Sequence, residues 1–151
     1  MALSINTAWG LWLEEHEWDY WATLTFRDAY SGDAATRAFD RLIRWGRRLA
    51  PDLGYFVGHE VGKLGRLHLH ALFSGAVDVD QVGVLNSQGL RSKDIWHWWF
   101  KRYGRAQVLP YDPTRGAAAY VSKYVTKEMG HYDVANLRGA DPARVSARFD
   151  R

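Results

Sequence analysis

The sequence predicts a single α+β domain in which helices pack on a central antiparallel β-sheet of four to five strands. Two kinds of segment support this prediction. In some, apolar and polar residues alternate with period two, and in others apolar residues recur at helical spacing. Two of the alternating segments are separated by only a few residues, which is typical of an antiparallel hairpin. With 151 residues and 47% hydrophobic content, the chain is long enough for one hydrophobic core.

Four segments have the pattern of strands. In the first, residues 20–26, small and large apolar side chains alternate with tryptophan and threonine. Residues 55–60 and 65–73 form a predicted hairpin, because the link between them contains two glycines. Residues 105–109 are the predicted fourth strand, which Pro110 interrupts.

Three segments have helical spacing, namely residues 34–50, 93–103 and 113–127. Ser31 or Asp33 is the predicted N-cap of the first helix, and Pro51 follows its end. Ser92 is the predicted N-cap of the second helix.

Each of the first two helices has a predicted core face. In the first helix it consists of Ala38, Leu42, Trp45 and Leu49. Beside it runs a basic stripe of Arg37, Arg41, Arg44 and Arg48. Solubility and DNA contact explain this stripe equally well. In the second helix the core face consists of Trp96, Trp99, Phe100 and Tyr103. Trp98 falls off that face, and is either a second packing surface or an exposed stacking residue.

The order of these elements is strand, helix, strand, strand, helix, strand, helix. It fits the split βαβ arrangement of ferredoxin-like and RRM-like domains. We expect residues 1–20 to be an N-terminal extension, residues 21–130 to be the domain, and residues 131–151 to be a C-terminal tail.

Composition limits the classes of function. The chain has no cysteine, so disulfides and thiolate metal sites are excluded. No apolar run approaches the length of a membrane span, and the start lacks the pattern of a signal peptide, so we expect a cytoplasmic protein. Residues 91–127 contain eight lysines and arginines against two aspartates, interleaved with aromatic residues. This pattern favours a polyanionic partner, with solvated surface charge as the alternative.

Two histidines on the predicted third strand are candidate metal ligands. His68 and His70 are two residues apart, so their imidazoles lie on the same strand face, opposite to that of Leu67 and Leu69. If the hairpin turn centres near Leu64, Glu60 lies directly opposite His68 and diagonal to His70. His59 then points away. The alternative is a half-exposed strand that happens to carry two polar residues.

The predicted third helix presents candidate nucleophiles. Tyr120, Tyr124 and Lys127 share one face, at i, i+4 and i+7. A tyrosine hydroxyl, with an ordinary pKa of about 10, needs a nearby cation to attack a phosphodiester at neutral pH. Lys127 is close enough in sequence to supply it. A tyrosine pair at this spacing is otherwise usually a packing feature.

Three stretches together resemble the HUH endonucleases. Residues 65–73, read as Gly-Arg-Leu-His-Leu-His-Ala-Leu-Phe, contain a His-hydrophobic-His signature like that of the superfamily. Residues 120–127, read as Tyr-Val-Ser-Lys-Tyr-Val-Thr-Lys, are similar to the tyrosine motif of the rolling-circle replication initiator (Rep) branch. The Tyr-x-x-Lys-Tyr form is especially similar to the two-tyrosine initiators of single-stranded DNA phages and plasmids. Residues 21–26 resemble the first motif of the family.

The resemblance implies an HUH fold and a metal-dependent activity that nicks single-stranded DNA and transfers the strand. Glu60, His68 and His70 would hold a divalent cation, Mn²⁺ or Mg²⁺. Tyr124 would be the first nucleophile and form a covalent 5′-phosphotyrosine, and Tyr120 would alternate with it. The lysines at positions 123 and 127 would assist the two tyrosines.

The expected partner is a single-stranded DNA origin, with or without a hairpin, in a bacterial or archaeal host of a phage or plasmid. No phosphate-binding loop of the Gly-x-x-x-x-Gly-Lys-Ser/Thr type is present, so a host or phage helicase would act in trans. Two alternatives stay open. One is an HUH-type transposase, and the other is a non-catalytic domain that binds single-stranded nucleic acid.

Overall fold

A computed structural model describes residues 13–62, 65–76, 89–115 and 132–135 of the protein. Within these residues the elements are β1 (Tyr20–Thr25), α1 (Gly32–Leu49), β2 (Gly54–Val61), β3 (Leu67–Ser74), α2 (Ser92–Arg102), β4 (Ala106–Pro110) and β5 (Tyr132–Ala135). Four antiparallel strands form a sheet in the order β4-β1-β3-β2, and the short β5 extends it beside β2. The predicted α+β domain with an antiparallel sheet is confirmed.

The β-hairpin of β2 and β3 has the register that the sequence predicts. Glu60 pairs with His68, and Gly58 pairs with His70. In the turn, the Gly62 N–H donates to the Arg66 carbonyl at 2.7 Å. Gly65 has φ of +75°, a left-handed conformation that glycine adopts without steric cost. The turn therefore fixes which residues of the two strands face each other.

Helix α1 follows its sequence pattern closely. The Ser31 side chain accepts a hydrogen bond from the Ala34 N–H at 3.1 Å, so Ser31, rather than Asp33, is the N-cap. The helix ends at Leu49, two residues before Pro51. Its buried side chains pack against one face of the sheet. The members of the predicted basic stripe are all exposed, namely Arg37, Arg41, Arg44 and Arg48.

Helix α2 differs from its prediction in two respects. Ser92 is the first helical residue and not the cap, and the Asp94 carboxylate accepts a hydrogen bond from the Arg91 N–H at 3.0 Å. The predicted aromatic face was wrong at Trp96 and Phe100, which are 41% and 43% exposed. Helical spacing alone does not tell which side of a helix meets the sheet when aromatic residues occupy both sides.

Trp98 is the aromatic residue of α2 that packs against α1. It is 8% exposed, and its ring stacks on that of Trp45 with centroids 5.5 Å apart. The Arg102 guanidinium lies 4.3 Å from the centre of the same ring. Trp99 is fully buried, and its indole N–H donates to the Thr25 carbonyl at 2.8 Å, which fastens α2 to β1. Trp98 is therefore the second packing surface of the two alternatives.

One hydrophobic core lies between the sheet and the two helices. Alternate residues of β1 and β3 supply its sheet side, including Leu24, Leu69 and Phe73, which are fully buried. Phe39 of α1 packs its ring on those of Tyr55 and Phe73. Helices therefore cover one sheet face, and the opposite face is left to other roles.

The C-terminal part of the chain contributes a strand that the sequence did not predict. β5 lies in the segment assigned to a tail, and it pairs antiparallel with β2. Of the predicted third helix, only the first three residues are described, and residues 113–115 form a turn instead. The remainder of that prediction, residues 116–127, lies outside the described residues. None of the helices that the structure describes is long and apolar enough to cross a membrane.

Candidate active site

The sheet face opposite the helices carries a polar cluster at one end of three adjacent strands. Its members are Thr23 and Thr25 of β1, His68 and His70 of β3, and Glu60 of β2. They share one face because antiparallel partners lie directly opposite each other and alternate residues of a strand point the same way. All five are partly exposed, whereas the core-facing neighbours Leu24, Leu67 and Leu69 are buried. We call these five residues the polar cluster.

His70 and Glu60 are in direct contact. Nε2 of His70 lies 3.0 Å from Oε2 of Glu60, and their side chains are 12% and 24% exposed. Gly58 is the register partner of His70 on β2, so no side chain of that strand stands between them. The diagonal approach of a carboxylate to an imidazole therefore follows directly from the hairpin register.

His68 occupies the position opposite Glu60, as predicted, and lies against the turn. A methyl group added at Gly62 would be 3.3 Å from Cε1 and 3.4 Å from Nε2 of His68. The same methyl group would be 3.3 Å from the Arg66 carbonyl oxygen. The absence of a side chain at Gly62 therefore gives the His68 ring its room.

Thr23 contacts the other nitrogen of His70, which the sequence did not reveal. Its hydroxyl lies 3.4 Å from Nδ1 of His70 across the β1–β3 pair. A group that engages Nδ1 orients the imidazole and directs Nε2 towards Glu60. The signal was present in the sequence as a threonine in the first strand. It gains meaning only when the strand order places β1 beside β3.

His59 lies on the opposite sheet face, as predicted. It is 9% exposed, and its Nε2 is 3.5 Å from the Thr36 hydroxyl of α1. It is therefore a core histidine that takes part in sheet–helix packing.

The donor chemistry of the polar cluster is compatible with a divalent cation. Imidazole and carboxylate groups are ordinary ligands of Mn²⁺ and Zn²⁺. Two ligands at right angles on an ion with bonds of about 2.1 Å are about 3.0 Å apart, which is the distance from His70 Nε2 to Glu60 Oε2. Among the described residues, however, no three histidine, aspartate, glutamate or cysteine side chains already converge around one point. The structure thus brings Glu60 and His70 together, and His68 faces the same side beside them.

The predicted nucleophiles, Tyr120 and Tyr124, lie outside the described residues, as do Lys123 and Lys127. The chain leads towards them through a turn at Asp112. The hydroxyl and N–H of Thr114 both donate to the Asp112 carboxylate, at 2.6 and 2.9 Å, and they lower the pKa of that carboxyl.

Tyr20 of β1 contrasts with the chemistry expected of a nucleophilic tyrosine. Burial and then the neighbouring Asp19 raise the pKa of its hydroxyl. Tyr20 therefore stays a neutral phenol at physiological pH.

A cavity of about 780 Å³ opens at the other end of the sheet. Its lining is largely acidic and aromatic, and includes Glu14, Glu17, Trp18, Asp19 and Tyr111. Asp19 borders the Tyr20 end of β1, whereas His68 pairs with Thr25 at the opposite end of that strand. The cavity is therefore separate from the polar cluster, and its negative charge is unfavourable for a phosphodiester.

The fold and the polar cluster define an α+β domain whose open sheet face carries histidine and carboxylate groups. A family model described as replication-associated protein ORF2 matches residues 19–129, which is most of the chain. The chain therefore belongs to this family of replication-associated proteins. The membership supports a role in rolling-circle replication initiation. No curated protein and no solved structure is similar enough to the chain to count as a match.

Proposed function

We propose that this protein is an HUH-type initiator of rolling-circle replication that nicks single-stranded DNA and later rejoins it. The observation that supports this most is the 3.0 Å contact between His70 and Glu60, with His68 in register beside them, in a chain of a replication-associated family. A purely structural sheet face has no need to hold partly buried imidazole and carboxylate groups together.

The proposed metal site consists of Glu60, His68 and His70. A divalent cation, Mn²⁺ or Mg²⁺, would act there as a Lewis acid on a non-bridging oxygen of the scissile phosphate. Thr23 would hold the His70 ring so that Nε2 faces the site. Gly62 would keep space for the His68 ring, because any larger residue would push on it.

The proposed chemistry is transesterification by tyrosine. The Tyr124 oxygen attacks phosphorus and loses its proton, while the bond from phosphorus to the 3′ oxygen breaks. The leaving 3′ oxygen gains a proton and becomes the 3′-hydroxyl primer, and the 5′ phosphate stays on the tyrosine. Lys127 would stabilise the Tyr124 phenolate, and Lys123 would do the same for Tyr120. Tyr120 would act in the second transfer, as in the two-tyrosine initiators.

The proposed partners follow from this chemistry. The substrate is a single-stranded origin, and its unwinding is left to a host or phage helicase in trans. The setting is the cytoplasm of a bacterial or archaeal host, where a phage or plasmid replicates. Energy for rejoining is conserved in the phosphotyrosine bond, so the cycle needs no ATP.

The experiment that tests this proposal is adduct formation with a randomised pool of single-stranded oligonucleotides. With Mn²⁺ present, oligonucleotides labelled at the 3′ end should form an adduct that survives denaturing electrophoresis. The same pool labelled at the 5′ end should instead yield shortened, protein-free products ending in a 3′-hydroxyl. Tyr124→Phe should suppress the first cleavage more than Tyr120→Phe, and Tyr20→Phe is the matched control.

Two results would contradict the proposal. One is the lack of any adduct across the pool and across single-stranded DNA that flanks the gene. The other is an adduct that persists in the Tyr120→Phe/Tyr124→Phe double variant. Binding without an adduct would make the chain a non-catalytic single-stranded DNA-binding domain. Joining of strands between two different sites would favour the transposase alternative.

A further inference from the structure

Helix α2 exposes a continuous face of aromatic and basic side chains that the proposed active site does not use. At i, i+3, i+4, i+7 and i+8 it contains Lys93, Trp96, His97, Phe100 and Lys101, all of them exposed. We call these five residues the α2 outer face. No acidic residue occupies these positions.

The two large rings of this face are arranged as a flat surface. Trp96 and Phe100 stack on each other with centroids 5.0 Å apart and planes only 9° from parallel. They stay 41% and 43% exposed, whereas Trp98 and Trp99 of the same helix are buried in the core. Two large adjacent rings outside the core form a surface apolar patch, and such patches usually mark a binding site.

The charge around the rings favours a polyanion over an apolar protein partner. Helix α1 carries five arginines against two aspartates, and α2 carries two lysines and an arginine against one aspartate. The two helices are therefore more positive together than the whole chain, whose net charge is +3. A second copy of this chain would bring the same positive surface to the contact, which disfavours self-association through this face.

We propose that the α2 outer face is a second contact for single-stranded DNA, outside the active site. Bases would stack on Trp96 and Phe100, and the phosphates would lie near Lys93 and Lys101. Stacking on aromatic rings needs the faces of unpaired bases, so the ligand is single-stranded and not duplex DNA. The proposal deepens the proposed function and rests on it for the class of substrate.

The fold offers a route between this face and the polar cluster around the edge strand β4. The exposed Arg27 side chain donates to the Phe100 carbonyl at 2.9 Å, and its backbone N–H donates to the Tyr103 carbonyl. On the same strand, the Thr25 hydroxyl donates to the Arg105 carbonyl, and Thr25 pairs with His68. Two arginines thus stand where a DNA strand would pass from the helix layer to the open sheet face.

The test is binding of a fluorescent oligothymidylate, measured by anisotropy in EDTA over a series of salt concentrations. Trp96→Ala/Phe100→Ala should weaken binding by about tenfold or more, because each stacked base contributes substantially to affinity. Trp96→Tyr/Phe100→Tyr keeps both rings and should stay close to wild type. Since all these side chains are exposed, the melting temperature should not change.

Charge is tested with two matched variants. Lys93→Gln/Lys101→Gln should lower the steepness of the salt dependence by about 1.4, because each phosphate that a lysine no longer neutralises accounts for about 0.7. Arg44→Gln/Arg48→Gln removes the same charge from α1, whose exposed side chains include no aromatic ring, and should have a smaller effect on affinity. Equal reductions in the two variants would overturn the assignment to α2.

Three further outcomes decide the proposal independently of catalysis. Unchanged affinity in Trp96→Ala/Phe100→Ala would overturn it, even if adduct formation by the wild type is normal. Ring-dependent binding in EDTA would support it, even if no adduct ever forms. If sedimentation shows a dimer that the alanine variant dissociates while oligothymidylate affinity is unchanged, the face is a self-association surface and the proposal is wrong.

Discussion

The two faces of the sheet are built from alternate residues of the same strands and have opposite properties. On the face covered by the helices, β3 contributes Leu67, Leu69 and Phe73, which lie in the core. On the other face it contributes His68 and His70, which stay partly exposed. The covered face follows the ordinary rule of apolar burial, whereas the open face keeps polar groups close together at a desolvation cost. That contrast is typical of a rigid scaffold carrying a site.

The histidines of the two faces show the same contrast at the level of single residues. His59 lies in the core beside the Thr36 hydroxyl, and His70 lies on the open face beside the Thr23 hydroxyl. His70 also contacts a carboxylate, that of Glu60. Similar local partners therefore accompany different roles, because the sheet separates one environment from the other.

The largest expected effect separates the faces by stability. Leu69→Ala should lower the free energy of unfolding by about 2–5 kcal/mol, since it leaves a cavity in the core. His70→Ala, one residue away on the open face, should cost less than about 1 kcal/mol. Urea denaturation followed by tryptophan fluorescence measures both. Similar reductions in the two variants would mean that the open face is also a stability element.

The next effect separates the faces by metal binding. Glu60→Gln should lower the affinity for Mn²⁺ by about tenfold to a hundredfold while the melting temperature stays close to wild type. Titration calorimetry measures the affinity, and Glu17→Gln, an exposed glutamate outside the polar cluster, is the control. Equal Mn²⁺ affinity in wild type and Glu60→Gln would remove Glu60 from the proposed site.

A smaller effect is expected from the room left for His68. Gly62→Ala places a methyl group 3.3 Å from the His68 ring, so the ring must shift and the Mn²⁺ affinity should fall by about tenfold. Gly32→Ala is the matched control, because a methyl group there meets nothing within 4 Å. An unaltered affinity in Gly62→Ala would show that His68 tolerates displacement and is not a ligand.

The smallest effect concerns the orientation of His70. Thr23→Val removes the hydroxyl beside Nδ1 and should lower Mn²⁺ affinity by about twofold to tenfold, the range expected for one hydrogen bond. Thr36→Val removes the equivalent hydroxyl beside His59 and should leave Mn²⁺ affinity unchanged. If Thr36→Val has the larger effect on Mn²⁺, the two histidines have been assigned the wrong roles.

Period-two alternation and turn chemistry made much of the site predictable. The hairpin register that sets Glu60 opposite His68 followed from two glycines in a short link, because a hairpin turn leaves few ways to pair the strands. The cap at Ser31 and the end of α1 before Pro51 were equally local features. The roles of Tyr120 and Tyr124 stay predictions, because both residues lie outside the described part of the chain.

The sequence by itself determined the succession of strands and helices, the β2–β3 register and the polarity of each strand face, because these depend on neighbours a few residues apart. Only the tertiary structure decided that β1 lies beside β3, which brings Thr23 to His70 across 47 residues of chain. It also decided that Trp98 is buried while Trp96 and Phe100 are exposed. Aromatic rings occupy both sides of α2, so packing against α1 and the sheet had to select the buried side.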